Sequence, residues 1–216
     1  SRLAAAAVLV IPFSYGQGLP ELGDISSASL SPQMEARIGQ EAYRDFRYRN
    51  PAYLDDPEIA GYVERLGGKL ASSTSDRKQR FEFFVLRDTT INAFAMPGGF
   101  IGVHTGLISA AQSESEVASV LAHEISHVTQ RHIARMIGKQ NDITMPTLAA
   151  MVVALLAARS NPDIAGATLA TVTAGSIQAQ LNFSRDFERE ADRLGFQLLL
   201  DAGFDVHAMA AFFGRL

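Results

Sequence analysis

The 216-residue sequence has no cysteine, no excess of basic residues and no long uninterrupted apolar run. The missing cysteine excludes thiolate metal sites, thiol nucleophiles and disulfides, but it does not separate the cytoplasm from an oxidising compartment. Lys and Arg number 19 against 23 Asp and Glu, a net charge of -4. With no basic run, this balance argues against nucleic acid as the main partner. The apolar stretches are too short to span a bilayer. Leu3 to Ile11 stops at Pro12, and residues 147–158 would cover only about 18 Å of a hydrocarbon core of about 30 Å.

The chain is long enough for one domain with a substantial core, and 47% of it is hydrophobic. Arg2, the apolar run and the small residues around Ser14, Gly16 and Gly18 read as the remnant of a signal peptide over residues 1–18, which implies export. Residues 19–30 read as a linker and 31–216 as the domain. Ser31-Pro32 opens a helix that runs to about Arg49, where Asn50-Pro51 stops it. Asp56-Pro57-Glu58 opens a second, amphipathic helix ending near Ser72.

Three strand-like runs follow, Phe81 to Leu86, Ile91 to Met96 and Phe100 to His104, with Pro97-Gly98-Gly99 as a turn. They predict a small, mostly antiparallel sheet in an otherwise helical α+β domain. Ser113-Glu-Ser-Glu116 is a capping box, and the helix it starts is expected to continue to Ile137 and end at Gly138. The apolar segments 145–158 and 164–181 read as a helical hairpin packed on the domain, or else as a lid or a surface for peripheral membrane or client contact over 145–181.

Inside the capped helix lies His123-Glu124-x-x-His127. The i, i+4 spacing puts both imidazoles on one helical face, about 6 Å apart, where they can grip one metal ion. Zinc is the expected metal, because neutral imidazole suits it and catalytic sites use three protein ligands with a fourth position open. Glu124 leans toward the metal without having to bind it, the place for a general base. Val120, Leu121, Ile125 and Val128 are interleaved with these residues and mark a largely buried helix.

A third histidine ligand close by is excluded. The extended zincin motif needs a glycine and a histidine where Gln130 and Ile133 stand. His132 lies five residues beyond His127 and is expected to point well round the helix, as a surface or packing residue. The acidic candidates are Asp186, Glu188, Glu190 and Asp192, on a helix expected to begin near Asn182. Glu188 and Asp192 share a face, so Glu188 could bind the metal while Asp192 accepts the other ring N–H of a ligand histidine. Glu190 should lie about 200° away. Spacing alone equally allows a solvated charge cluster paired with Arg185, Arg189 and Arg193.

His123-Glu124-x-x-His127, the downstream Ser184-Arg-x-x-Glu188-x-x-Ala-Asp192 and the upstream Ile91-Asn-Ala-Phe-Ala-Met-Pro-Gly-Gly99 together resemble the HtpX/Oma-type zinc metalloendopeptidases, peptidase family M-forty-eight. The resemblance runs from about Leu19 to Leu216 and implies a zincin-type peptidase domain with one zinc ion per chain. By it, His123, His127 and Glu188 are the metal ligands, Glu124 the catalytic base and Asp192 the outer support. Asn92, Ala93, Phe94 and Ala95 are implied to be an edge strand to which an extended substrate adds.

The resemblance further implies a periplasmic location in a Gram-negative bacterium. Its implied substrates are misfolded or stalled outer-membrane proteins. Tetratricopeptide repeats that would dock the outer-membrane assembly machinery are expected in the parent protein, and none is visible here. A chaperone or assembly factor with a latent or structural zinc site is the competing reading, although a structural site has no need of Glu124. A metal-dependent hydrolase of non-peptide substrates shares the histidines but leaves the edge strand unexplained. His104 and His207 read as structural. Because ligand histidines must be neutral, zinc affinity is expected to fall below about pH 6.5.

Overall fold

A computed structural model describes residues 30–137 and 174–215, with side chains of the second stretch from Arg185 onward. The expected signal-peptide remnant 1–18, nearly all of the linker 19–30, and the hairpin segments up to residue 173 lie outside the described residues.

Local signals set the first elements. Ser31 caps α1 (Pro32–Arg49) by accepting from Met34 N–H, with proline in the first turn. Asp56 caps α2 (Pro57–Ser72) by accepting from Glu58 and Ile59 N–H. The strands are β1 (Glu82–Leu86), β2 (Ala93–Met96) and β3 (Phe100–His104). A short helix α3 (Thr105–Ala110) leads to α4 (Glu114–Thr129), then α5 (His132–Ile137), α6 (Ala174–Asp201) and α7 (His207–Phe213).

The sheet is mixed, with strand order β1-β3-β2, and not mostly antiparallel as the strand pattern predicts. Strand β2 pairs antiparallel with β3 through the tight turn at Gly98 and Gly99, whose φ values of 81° and 96° suit glycine. Strand β1 pairs parallel with β3. The connection from β1 to β2 crosses over the end of β3 instead of forming a hairpin. It is tied there by Gly106 N–H donating to Asp88 O at 2.7 Å and His104 N–H donating to Asn92 O at 3.0 Å. A Cβ on Gly106 would lie 2.2 Å from Thr89 O, so the chain passes beneath this crossover only as glycine.

Period-2 alternation divides the sheet's side chains between two cores. Val85, Ala93, Ala95, Ile101 and Val103 face α2, α4, α6 and α7. Phe84, Phe94, Met96 and Phe100 face α1, where Tyr43 stacks on Phe100 at 4.9 Å. Segment 52–54 bonds to the outer side of β1, through Leu54 N–H to Val85 O and Arg87 N–H to Ala52 O. The outer side of β2 is turned toward α4.

Two helix boundaries differ from expectation. Helix α4 ends at Thr129, because Arg131 adopts φ 52° and breaks it before α5. The Arg131 guanidinium accounts for this unusual backbone. It donates to Glu35 at 2.9 and 2.6 Å and to the Leu30 carbonyl, so α1 holds the turn in place. Helix α6 begins at Ala174, and residues 174–181, assigned above to a hairpin arm, are its first turns. Among the described residues no helix is long and apolar enough to cross a membrane.

Candidate metal centre

Helix α4 is buried on every side from Glu116 to His127, which is why polar residues in it demand a functional account. Ser113 caps it by accepting from Glu116 N–H at 3.3 Å, while the Glu116 carboxylate takes Gln112 N–H at 2.7 Å and Arg215 at 2.7 and 2.8 Å. Helix α6 packs across it. Gly195 allows the close approach, since a Cβ there would already lie 3.0 Å from His123 N.

The crossing brings His123, His127 and Glu188 together, with one ligand atom from each inside a 4.8 Å span. His123 Nε2 is 3.0 Å from His127 Nε2 and 3.2 Å from Glu188 Oε2, and His127 Nε2 is 3.7 Å from Glu188 Oε1. Donors about 2.0–2.1 Å from a tetrahedral zinc ion stand about 3.3 Å from one another, so these separations fit that ion. The donor set, two imidazoles and a carboxylate, also fits. Two imidazole nitrogens facing each other beside a carboxylate need either a shared proton or a cation between them.

Asp192 Oδ1 lies 2.9 Å from His123 Nδ1, a distance at which the carboxylate can accept that ring N–H. Burial by itself would lower the His123 pKa. The carboxylates of Asp192, Glu188 and Glu124 outweigh it and raise it to about 9. Glu124 is buried, and its Oε2 accepts Ala95 N–H from β2 at 2.8 Å. The residue expected to act as base is therefore tied to the strand expected to receive substrate.

A cleft of about 840 Å³ opens over these groups. Asn92 and Ala93, at the start of β2, line it together with the apolar side chains of Phe196, Met209 and Phe213. Phe94 does not enter it; its ring lies in the core facing α1. His104 is buried with Nδ1 2.7 Å from Thr90 Oγ1, and His207 uses its backbone N–H to reach Asp205 at 2.9 Å.

His132 is a buried packing residue, one of its two expected places, but it does not point away from His127. It is 1% exposed, and its Nδ1 is 2.9 Å from His127 Nδ1. The break at Arg131 turns it back toward α4; on a continuous helix it would stand about 140° round from His127. Burial, and then His127 beside it, push its pKa down to about 4. Glu190 points away from the His123, His127 and Glu188 cluster and meets His132 Nε2 at 3.2 Å and Arg135 Nη1 at 2.9 Å. Sequence spacing contained half of this pattern, since acids at 188, 190 and 192 must face two sides of one helix. It held no sign of the break that presents His132.

A short sheet flanked by helices, with two histidines on a buried helix and a carboxylate from a second helix, defines the class of zincin-like metallopeptidase domains. The Peptidase family M48 description matches residues 57–216. A Vibrio cholerae protein provisionally named beta-barrel assembly-enhancing protease is 44% identical over 92% of this chain and 41% of its own length. The beta-barrel assembly-enhancing protease of Escherichia coli K12 is 37% identical over 92% of this chain and 40% of its own. The mitochondrial metalloendopeptidase OMA1 of Arabidopsis thaliana is 28% identical over 94% of this chain and 39% of its own. The chain belongs to peptidase family M48, and it spans about two fifths of the length of these relatives.

Proposed function

We propose that the chain is a zinc-dependent endopeptidase, with His123, His127 and Glu188 as ligands of one zinc ion and Glu124 as general base. The convergence of these three ligand atoms within 4.8 Å, beside a buried glutamate that is not among them, carries this reading. When bound, zinc supplies Lewis acidity, polarising the scissile carbonyl and making water more acidic. Glu124, oriented by Ala95 N–H at Oε2, takes the proton from the attacking water and passes it to the leaving amine. Asp192 holds His123 in the tautomer that leaves Nε2 available as a ligand.

Substrate binds as an added strand on Asn92–Ala95. Because Ala95 N–H is committed to Glu124, pairing uses the outward N–H and C=O of Ala93 and the C=O of Ala95, which alternate with the groups of Phe94 that face β3. Strand addition requires an extended segment, so unfolded chains are preferred to folded ones. The bacterial relatives are named as proteases that enhance β-barrel assembly; from this we infer unfolded or misassembled outer-membrane proteins as the substrate class, met in the periplasm beside the outer-membrane assembly machinery.

The test presents one outer-membrane β-barrel protein to the zinc-loaded chain in two forms, unfolded and folded in detergent. Cleavage of the unfolded form alone, seen as new N-termini by mass spectrometry, is expected. Persistence of both forms despite stoichiometric zinc would instead favour a chaperone with a latent site.

A further inference from the structure

We propose that His132 and Glu190 form a positioning relay that holds His127 in its metal-binding tautomer, matching on one flank of the site what Asp192 does for His123 on the other. The proposal rests on the metallopeptidase reading above, and it concerns two residues that this reading leaves without a role.

The relay follows from counting protons along a chain of short contacts. Glu190 is gripped by Arg135 at 2.9 Å, and a carboxylate so paired accepts hydrogen bonds without donating them. His132 Nε2, 3.2 Å away, must therefore carry the proton and donate to Glu190. A neutral imidazole with its proton on Nε2 presents a lone pair at Nδ1. Facing that lone pair at 2.9 Å is His127 Nδ1, which must donate to it. His127 then has its proton on Nδ1, and its Nε2 carries a lone pair aimed at His123 Nε2 and Glu188. The opposite proton arrangement would place a hydrogen on His127 Nε2 and remove it as a ligand.

The surroundings make His132 a rigid part. Its ring stacks on Phe187 with centroids 4.2 Å apart and planes 8° from parallel, and it is almost fully buried. Arg135 lies over the other part of the same assembly, 4.6 Å from the Phe187 ring centroid. Helix α6 thus supplies Glu188 to the metal, Asp192 to His123 and Glu190 to the relay. The alternation of the three acids along one helix lets it brace both histidines at once.

Zinc dissociation constants of the full chain, measured by competition with a chromophoric chelator, test the relay. His132→Phe keeps a ring for Phe187 to stack on but removes the acceptor for His127 Nδ1–H. It should weaken zinc binding about ten- to a hundredfold. Glu190→Gln keeps an oxygen acceptor and should weaken it less. A second measurement needs no variant: nitrogen NMR of the zinc-loaded wild-type chain should show a proton on His127 Nδ1 and a scalar coupling across the hydrogen bond to His132 Nδ1. Wild-type affinity in His132→Phe, or a His127 Nδ1 with no coupling to His132, overturns the relay and leaves the metal site standing. Failure of the wild-type chain to bind zinc overturns the metallopeptidase reading itself, and the relay with it.

Discussion

Glu124→Gln is expected to lower peptide hydrolysis by about a hundred- to ten-thousandfold while zinc stays bound, the range associated with loss of a positioned general base. The substitution is nearly isosteric, and the amide oxygen can still accept Ala95 N–H, the contact that Glu124 makes at 2.8 Å. The packing of α4 against β2 should therefore survive, and so should the His123, His127 and Glu188 ligand set. What disappears is the carboxylate's capacity to take a proton from water. Parallel measurement of turnover on an unfolded protein substrate and of zinc content separates the two effects. Activity within a few-fold of wild type would remove Glu124 from the chemistry, and loss of zinc with activity would make it a structural residue.

Zinc affinity should rise steeply with pH up to about 9, beyond the level near 6.5 at which ordinary histidine ligands would finish deprotonating. His123 is the reason: burial opposes its protonation, but Asp192, Glu188 and Glu124 around it raise its pKa to about 9 in the absence of metal. A metal ion must displace that proton, so affinity should fall about tenfold per pH unit below 9. The stability of the metal-free chain should move the opposite way. A histidine whose folded pKa exceeds its unfolded value adds stability that is complete below about 6.5 and is lost as pH rises through about 9. Chelator competition and thermal unfolding between pH 6 and 9.5 should show opposite slopes. Affinity that levels off at pH 6.5 would mean that the three carboxylates do not act on His123 as their placement requires.

Much of the helical framework was legible because local chemistry determines it. Ser31-Pro32 and Asp56-Pro57 start α1 and α2 where capping and proline preferences put them, and α4 starts after Ser113 for the same reason. The histidine pair and the shared face of Glu188 and Asp192 follow from 3.6 residues per turn, a property of the helix alone. Strand order was not legible, because alternation shows which side chains share a face and not which strands are neighbours. The crossover that places β3 between β1 and β2 depends on Asp88, Asn92 and Gly106 meeting at one end of the sheet.

The break after α4 was hidden for a different reason. Gln130-Arg131 carries none of the usual helix-stop residues, and its cause lies about a hundred positions away, in the hold of Glu35 and the Leu30 carbonyl on the Arg131 guanidinium. On a continuous helix His132 would stand well round from His127, so no local signal points to their contact. The same limit applies to α6, whose first turns lie in the Ala- and Thr-rich stretch before Asn182, where composition offers no clear start.

The zinc site is tested most directly by anomalous diffraction at the zinc edge from crystals of the zinc-loaded chain. One strong peak per chain is expected, about 2 Å from His123 Nε2, His127 Nε2 and a Glu188 carboxylate oxygen, with Glu124 outside the ligand set. A peak at another group of residues, or a stoichiometrically loaded chain with no peak between these three side chains, would contradict it.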